Sequence, residues 1–207
     1  MAELTGYSDF SITVNHENCD NIEKIFEYLT VKCNIKSLKC TIVRDEGVYK
    51  TPKEKKEKIF KAYTWLTEKI KRFTEENKIN NYNSQSIQGK LHNKKDEISW
   101  ELIKKMYLEP KYISPCHAAG LFGIITASGL VYPCEILEDK LLGNLREKNM
   151  NFMKIWQSSI TKDAKNFILK TNCNCTYECA LTYNILGNWK YHQQKYGASH
   201  SQFIGYL

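Results

Sequence analysis

Leu121-Phe122-Gly123-Ile124-Ile125-Thr126, Ala127-Ser128-Gly129 and Leu130-Val131-Tyr132-Pro133-Cys134 together form the stretch that decides how this chain is read. Two apolar runs separated by small residues ending in glycine predict a β-hairpin. Cys116 precedes the hairpin and Cys134 closes it, so antiparallel pairing brings two thiols toward one point. Further on, Cys173-Asn174-Cys175-Thr176-Tyr177-Glu178-Cys179 places three more thiols within seven residues. Two thiolates from each side make four soft ligands, a donor set suited to tetrahedral zinc or to an iron–sulfur cluster. Zinc ribbons prefer two C-x2-C knuckles. Neither half has that spacing, and the 17 residues between Cys116 and Cys134 are wide for a knuckle, so zinc ranks second.

The remaining cysteines, Cys19, Cys33 and Cys40, are scattered, and they read as small buried hydrophobes. The first residues show no basic start followed by an apolar run, and no apolar stretch approaches the roughly 20 residues of a membrane span. The expectation is a cytoplasmic protein with no membrane partner, whose eight cysteines are reduced rather than paired in disulfides, with metal binding or catalysis the leading explanation for the clustered set. The 207 residues suffice for one substantial core or two small ones. Thirty Lys and Arg against 23 Asp and Glu give a net charge of +7, which would suit nucleic acid. Only Arg44, Arg72 and Arg146 are arginines, however, and lysine lacks the planar fork that grips phosphates and bases. A solvated lysine-rich surface is the preferred reading and a nucleic-acid partner is disfavoured.

Upstream, the chain alternates strand and helix. Phe10 to Val14 predicts a strand ending at the turn-prone Asn15-His16-Glu17-Asn18. Ile22, Ile25, Phe26 and Leu29 recur at helical spacing behind Asp20 as N-cap. Leu38 to Val43 predicts a second strand. A long helix follows, with Thr51 as cap, Pro52 in its first turn, Glu54 completing a capping box, and a stripe through Ile59, Tyr63, Leu66, Ile70 and Phe73. This order is that of parallel βα units. Two such units cannot form a sheet covered on both faces, so further strands must come from elsewhere. Residues 74–95 read as a polar linker and Asp96–Leu108 as a helix ended by Glu109-Pro110. After the hairpin come a loop at Leu142–Leu145, helical stretches around 151–157 and 161–170, and a helix from the late cysteines to Leu186.

Several motifs then fall into one pattern: Cys116-x12-Gly129-x4-Cys134, Leu142-Gly143-Asn144-Leu145-Arg146, Ile155-Trp156 and the late cysteine group. Together they resemble the C-terminal region of radical SAM proteins of the SPASM/twitch type. The resemblance spans about a third of the chain. It implies one auxiliary 4Fe–4S cluster held by Cys116, Cys134, Cys175 and Cys179, with Cys173 as a substitute or a thiol behind the ligands. The full SPASM pattern has seven cysteines and two clusters, and the five present here fit the single-cluster twitch form. The resemblance also implies an α+β fold. A SPASM/twitch-like domain at 111–190 follows the last two βα units of a partial (β/α)6 barrel at 1–80. A linker and connecting helix occupy 81–110, and a polar tail 191–207. Asn15 and Arg44 then sit at carboxyl ends of barrel strands, as cofactor-binding residues at the barrel mouth.

No C-x3-C-x2-C triplet occurs in the sequence. In the family, that triplet holds the cluster that binds S-adenosylmethionine. The expectation is therefore a chain inactive on its own, the parent being a radical SAM enzyme that modifies a peptide or small molecule. S-adenosylmethionine and a second 4Fe–4S cluster enter only with the N-terminal half of the barrel, supplied as a separate chain. A zinc-stabilised interaction module is the alternative. His117 reads as a surface histidine or one behind the ligands, and His16, His92, His192 and His200 as solvent-exposed. Trp156 and Trp189 read as core anchors, and Glu178 as a helix cap.

Overall fold

The computed structural model describes residues 9–44, 51–188 and 190–191. Trp189, His192, His200 and the tail beyond Tyr191 lie outside the described residues. The chain divides into two units, Met1–Ile113 with Asn172–Thr182, and Ser114–Thr171 with Tyr183–Leu207.

In the first unit, strand β1 (Asp9–Val14) pairs in parallel with β2 (Ser37–Ile42), in register from Asp9↔Ser37 to Val14↔Ile42. A parallel pair needs a crossover. Here it is a 3-10 turn at Cys19–Asn21, helix α1 (Ile22–Glu27) and a π-helical turn at Tyr28–Lys32. Alternation sorts the strand side chains. Ile12, Val14, Leu38, Cys40 and Ile42 are buried, while Ser11 and Thr13 are exposed and Lys39 and Thr41 half-buried. Asp20 does not cap α1. It sits in the 3-10 turn, and its carboxylate accepts from Lys55 at 2.9 Å and Lys58 at 3.2 Å, while Asn21 occupies the cap position.

Helix α2 (Lys53–Glu75) presents the expected stripe, with Ile59, Tyr63, Leu66 and Ile70 wholly buried. Phe26 packs edge-on against both Trp65 and Phe73. The N-cap position falls on Pro52, one residue later than the sequence reading, which leaves Thr51 buried outside the helix. The polar stretch read as linker through residue 95 is mostly ordered structure. Helix α3 runs Ile87–Tyr107, capped by the Ser86 hydroxyl accepting from the Gly89 N–H. Before it, Asn81 is buried against β2. Its Oδ1 accepts from the Leu38 N–H at 2.9 Å, and its Nδ2 donates to the Leu38 carbonyl at 2.8 Å. One side chain thus reproduces a strand pairing on the edge of β2 that faces away from β1. On the far edge of β1, the Thr13 carbonyl accepts from the Asn18 side chain, and no third strand lies in this sheet among the described residues.

The second unit contains the predicted hairpin in shorter form. β3 (Ile124–Ile125) pairs antiparallel with β4 (Leu130–Tyr132). Gly129 takes φ +88°, a conformation that suits glycine, and its N–H donates to the Thr126 carbonyl to close the turn. Gly143–Asn144, read as a loop, forms strand β5 against β4. Helices α4 (Phe152–Trp156) and α5 (Ser159–Lys170) follow, capped by Asn151 and Ser158. Trp156, read as a core anchor, is half-buried: it stacks on Phe152, and a Cβ on Gly123 would lie 2.8 Å from its ring. Helix α6 (Glu178–Leu186) begins in the late cysteine group. The fold is mixed α and β with small sheets, and among the described residues no helix is long and apolar enough to cross a membrane.

Candidate metal centre

In the second unit, the segment carrying Cys116 is held through its neighbour. The backbone N–H of His117 donates to the buried Asn184 side chain at 2.8 Å. The His117 ring is packed rather than placed at the surface. Its Nε2 is buried without a hydrogen-bond partner, and a Cβ on Gly187 would lie 2.8 Å from the ring. Burial lowers its pKa, which favours the neutral imidazole.

Cys134 is buried at the end of the hairpin. Burial pushes its thiol up. Backbone N–H groups of Leu137 and Ile136 hydrogen-bond to the sulfur and oppose that shift, and a charge on Cys116 adds to it. Cys116 and Cys134 therefore lie within electrostatic reach of each other. Burial outweighs the two amides, so the thiol form is favoured at this sulfur.

In the first unit, Cys173 and Cys175 are half-buried and Cys179 is exposed on the first turn of α6. All eight cysteines are free thiols. Cys19 and Cys40 are buried as read, whereas Cys33 is exposed, contrary to the reading. The five late thiols supply a soft donor set, which fits an iron–sulfur cluster and also fits zinc. As placed, no three His, Cys, Asp or Glu side chains among the described residues converge closely enough to hold an ion.

The two strand-end residues have different surroundings. Asn15 is engaged in its own turn, its Oδ1 accepting from the N–H groups of Glu17 and Asn18. Arg44 lines a cavity of about 330 Å³ within the first unit. Thr13, Thr41, Tyr177, Glu178 and Cys179 line it as well. The Arg44 guanidinium lies over the Tyr177 ring at 4.4 Å, and the Thr13 and Thr41 hydroxyls are 3.1 Å apart. Burial, then the charge of Asp96, pushes the Glu178 carboxyl up to about 7, with Lys95 and Lys39 opposing.

Thr13, Thr41 and Tyr177 were not singled out from the sequence. The only available signal was alternation: Thr13 and Thr41 are the last outward-facing polar residues of their strands, and register pairs them directly.

No curated protein and no solved structure matches the chain. A family match does exist in the region built around the thiols, opening on Cys116 and taking in Cys134, Cys173, Cys175 and Cys179. Residues 116–180 match the SPASM family, an iron–sulfur cluster-binding domain, and the chain therefore carries a domain of that type.

Proposed function

We propose that the chain holds one auxiliary 4Fe–4S cluster and serves a radical SAM enzyme that modifies a peptide or small molecule. The observation that carries this reading is the SPASM match over residues 116–180, which encloses all five late cysteines. Cys116, Cys134, Cys175 and Cys179 are the proposed ligands, and Cys173 is the thiol left over. When bound, such a cluster supplies an iron that can anchor substrate or a relay for single electrons. The residues of the chain prepare for it. Backbone amides of Ile136 and Leu137 oppose the upward push that burial gives the Cys134 thiol, and Asn184 fixes the segment beside Cys116.

Arg44 is the proposed binding residue at the strand ends. Asn15, the other strand-end residue, shapes the turn that follows β1. The sheet bears on the partner. Asn81 satisfies both backbone groups of Leu38 on the outer edge of β2, whereas on the far edge of β1 Asn18 takes only the Thr13 carbonyl, so extension falls to β1. The proposed partner is a barrel segment that pairs in parallel with β1 and brings the S-adenosylmethionine-binding cluster.

The test is to purify the chain without oxygen and assay iron, acid-labile sulfide and zinc per polypeptide. About four irons and four sulfides are expected. One zinc without sulfide would replace the cluster with a structural clip and remove the enzymatic reading.

A further inference from the structure

We infer that the last turn of α6 and the residues just after it clamp the segment of Cys116, with Asn184 as the positioning residue that readies this thiol for ligation. The inference rests on the reading of Cys116 as a cluster ligand and assigns the groups that hold it.

The two cysteines of the second unit are held differently. Cys134 follows closely on β4, whose backbone is paired by β3 on one side and β5 on the other. Cys116 lies in a stretch, residues 108–117, that forms neither strand nor helix. What fixes it comes from α6. The buried Asn184 side chain accepts the His117 N–H at 2.8 Å, one residue after Cys116. Two residues before Cys116, the buried Ser114 hydroxyl accepts from the Asn188 side chain at 3.4 Å. The Gly187 N–H still bonds the Tyr183 carbonyl, so the helical path continues and positions 184, 187 and 188 fall on one face. Gly187 closes the contact: an added Cβ would lie 2.8 Å from the His117 ring and 2.6 Å from a Leu121 methyl. Hydrogen bonds thus bracket Cys116 on both sides. The His117 Nε2 has no hydrogen-bond partner, so the clamp uses the backbone N–H and the bulk of the ring, not its chemistry. A thiol on an irregular segment must be ordered when it ligates, and a segment already held is spared that loss.

The test uses the full chain loaded with iron and sulfide without oxygen. Iron, sulfide and zinc are measured, release of metal to a chelator is timed, and the reduced sample is examined by electron paramagnetic resonance. Asn184→Leu keeps the bulk and removes the acceptor. It should speed release about tenfold or more, the usual effect of removing a group behind a metal ligand, and alter the resonance of the cluster that stays bound. Asn184→Asp, which keeps an acceptor oxygen, should recover part of the loss. Gly187→Ala should act in the same direction as Asn184→Leu, and it carries the test where circular dichroism shows that Asn184→Leu is unfolded. His117→Phe keeps the N–H and the ring and should change little. Thr161→Val is the control for stability, because the wholly buried Thr161 hydroxyl donates to the Ile155 carbonyl at 2.8 Å in the same unit. It should lower the melting temperature and leave release and resonance unchanged.

A folded Asn184→Leu chain with the parental release rate and resonance would overturn the inference. So would Thr161→Val releasing metal as fast as Asn184→Leu, since stability alone would then explain the effect, and so would equal loss in His117→Phe. Full iron and sulfide with release independent of Asn184 would leave the cluster reading standing and remove the clamp. One zinc without sulfide, released faster in Asn184→Leu, would remove the cluster and keep the clamp. A parent chain that binds neither metal would remove both.

Discussion

The two units are stabilised in different ways. In the first, a 23-residue helix lays Ile59, Tyr63, Leu66 and Ile70 on a parallel strand pair, and all four are wholly buried. Each such side chain contributes roughly 1.5–3 kcal/mol on burial, so this unit has a conventional apolar core. In the second, strands run two or three residues and α4 has five. Val131, Ile155 and Ile168 are buried there, but Leu121, Ile125, Met153 and Ile160 are about half exposed. Small domains that expose this much of their apolar content usually depend on metal or disulfide links. On the proposed reading, ligation by the late thiols supplies that link.

The largest expected effect breaks that link. Cys134→Ala should remove most of the bound iron and sulfide. Amide protons of the hairpin, at Ile124–Ile125 and Leu130–Tyr132, should then lose their protection against exchange, while those of β2 keep theirs. Structural metal sites supply on the order of 10 kcal/mol, more than any core substitution here. Unchanged iron content in Cys134→Ala would remove Cys134 from the ligand set. Loss of protection in β2 as well would show that the two units unfold together.

The next effect lies in the first unit. Asn81→Ala leaves the N–H and the carbonyl of Leu38 without their partner in a buried setting. Each orphaned group costs about 1–3 kcal/mol, so a loss of about 2–4 kcal/mol is expected in urea unfolding. Iron content should stay unchanged. A cost under about 0.5 kcal/mol would mean that water satisfies the edge.

The pattern of side chains explains which parts of this were visible in the sequence. Strands β1 and β2 and helix α2 bury one face, so apolar periodicity announces them. The first turns of α3 bury almost nothing: Ile87 and Leu91 are exposed, and the helix starts from the Ser86 cap and the close approach of Gly89 to the carbonyls of Tyr82 and Asn83. A helix without an apolar stripe has no period to read, and so it was read as linker. Asn81 was hidden for a related reason. A buried asparagine looks like a polar linker residue until the strand it completes is known. The thiol motif was legible because it is written in sequence spacing, whereas the cavity depends on register, which brings Thr13 beside Thr41 across two strands.

A third prediction returns to the second unit. Gly123→Ala would place a Cβ 2.8 Å from the Trp156 ring and 2.9 Å from the Tyr132 carbonyl oxygen. Neither the buttressed indole nor the backbone can retreat freely, so a loss of about 1–3 kcal/mol is expected. Thermal unfolding of the variant, with iron content measured alongside, distinguishes overpacking from ligand loss. An unchanged melting temperature would show that the packing beneath the hairpin is loose, and the contrast between the units would sharpen.

The smallest effect concerns the pairing of Asp20 with Lys55 and Lys58 in the first unit. The hydrogen bond from Lys55, then that from Lys58, holds the Asp20 carboxyl below its ordinary value of 3.8. A carboxylate whose pKa is depressed in the folded state contributes stability above its unfolded value and loses it as pH falls through the folded value. Asp20→Asn should therefore melt slightly below the unaltered chain at pH 7, and the gap should close on acidification below about 3.8. Both lysines and the carboxylate are substantially exposed, so added salt should shrink the gap at neutral pH as well. A gap that persists in acid would point to a role for Asp20 in shaping the 3-10 turn at Cys19–Asn21 rather than to its charge.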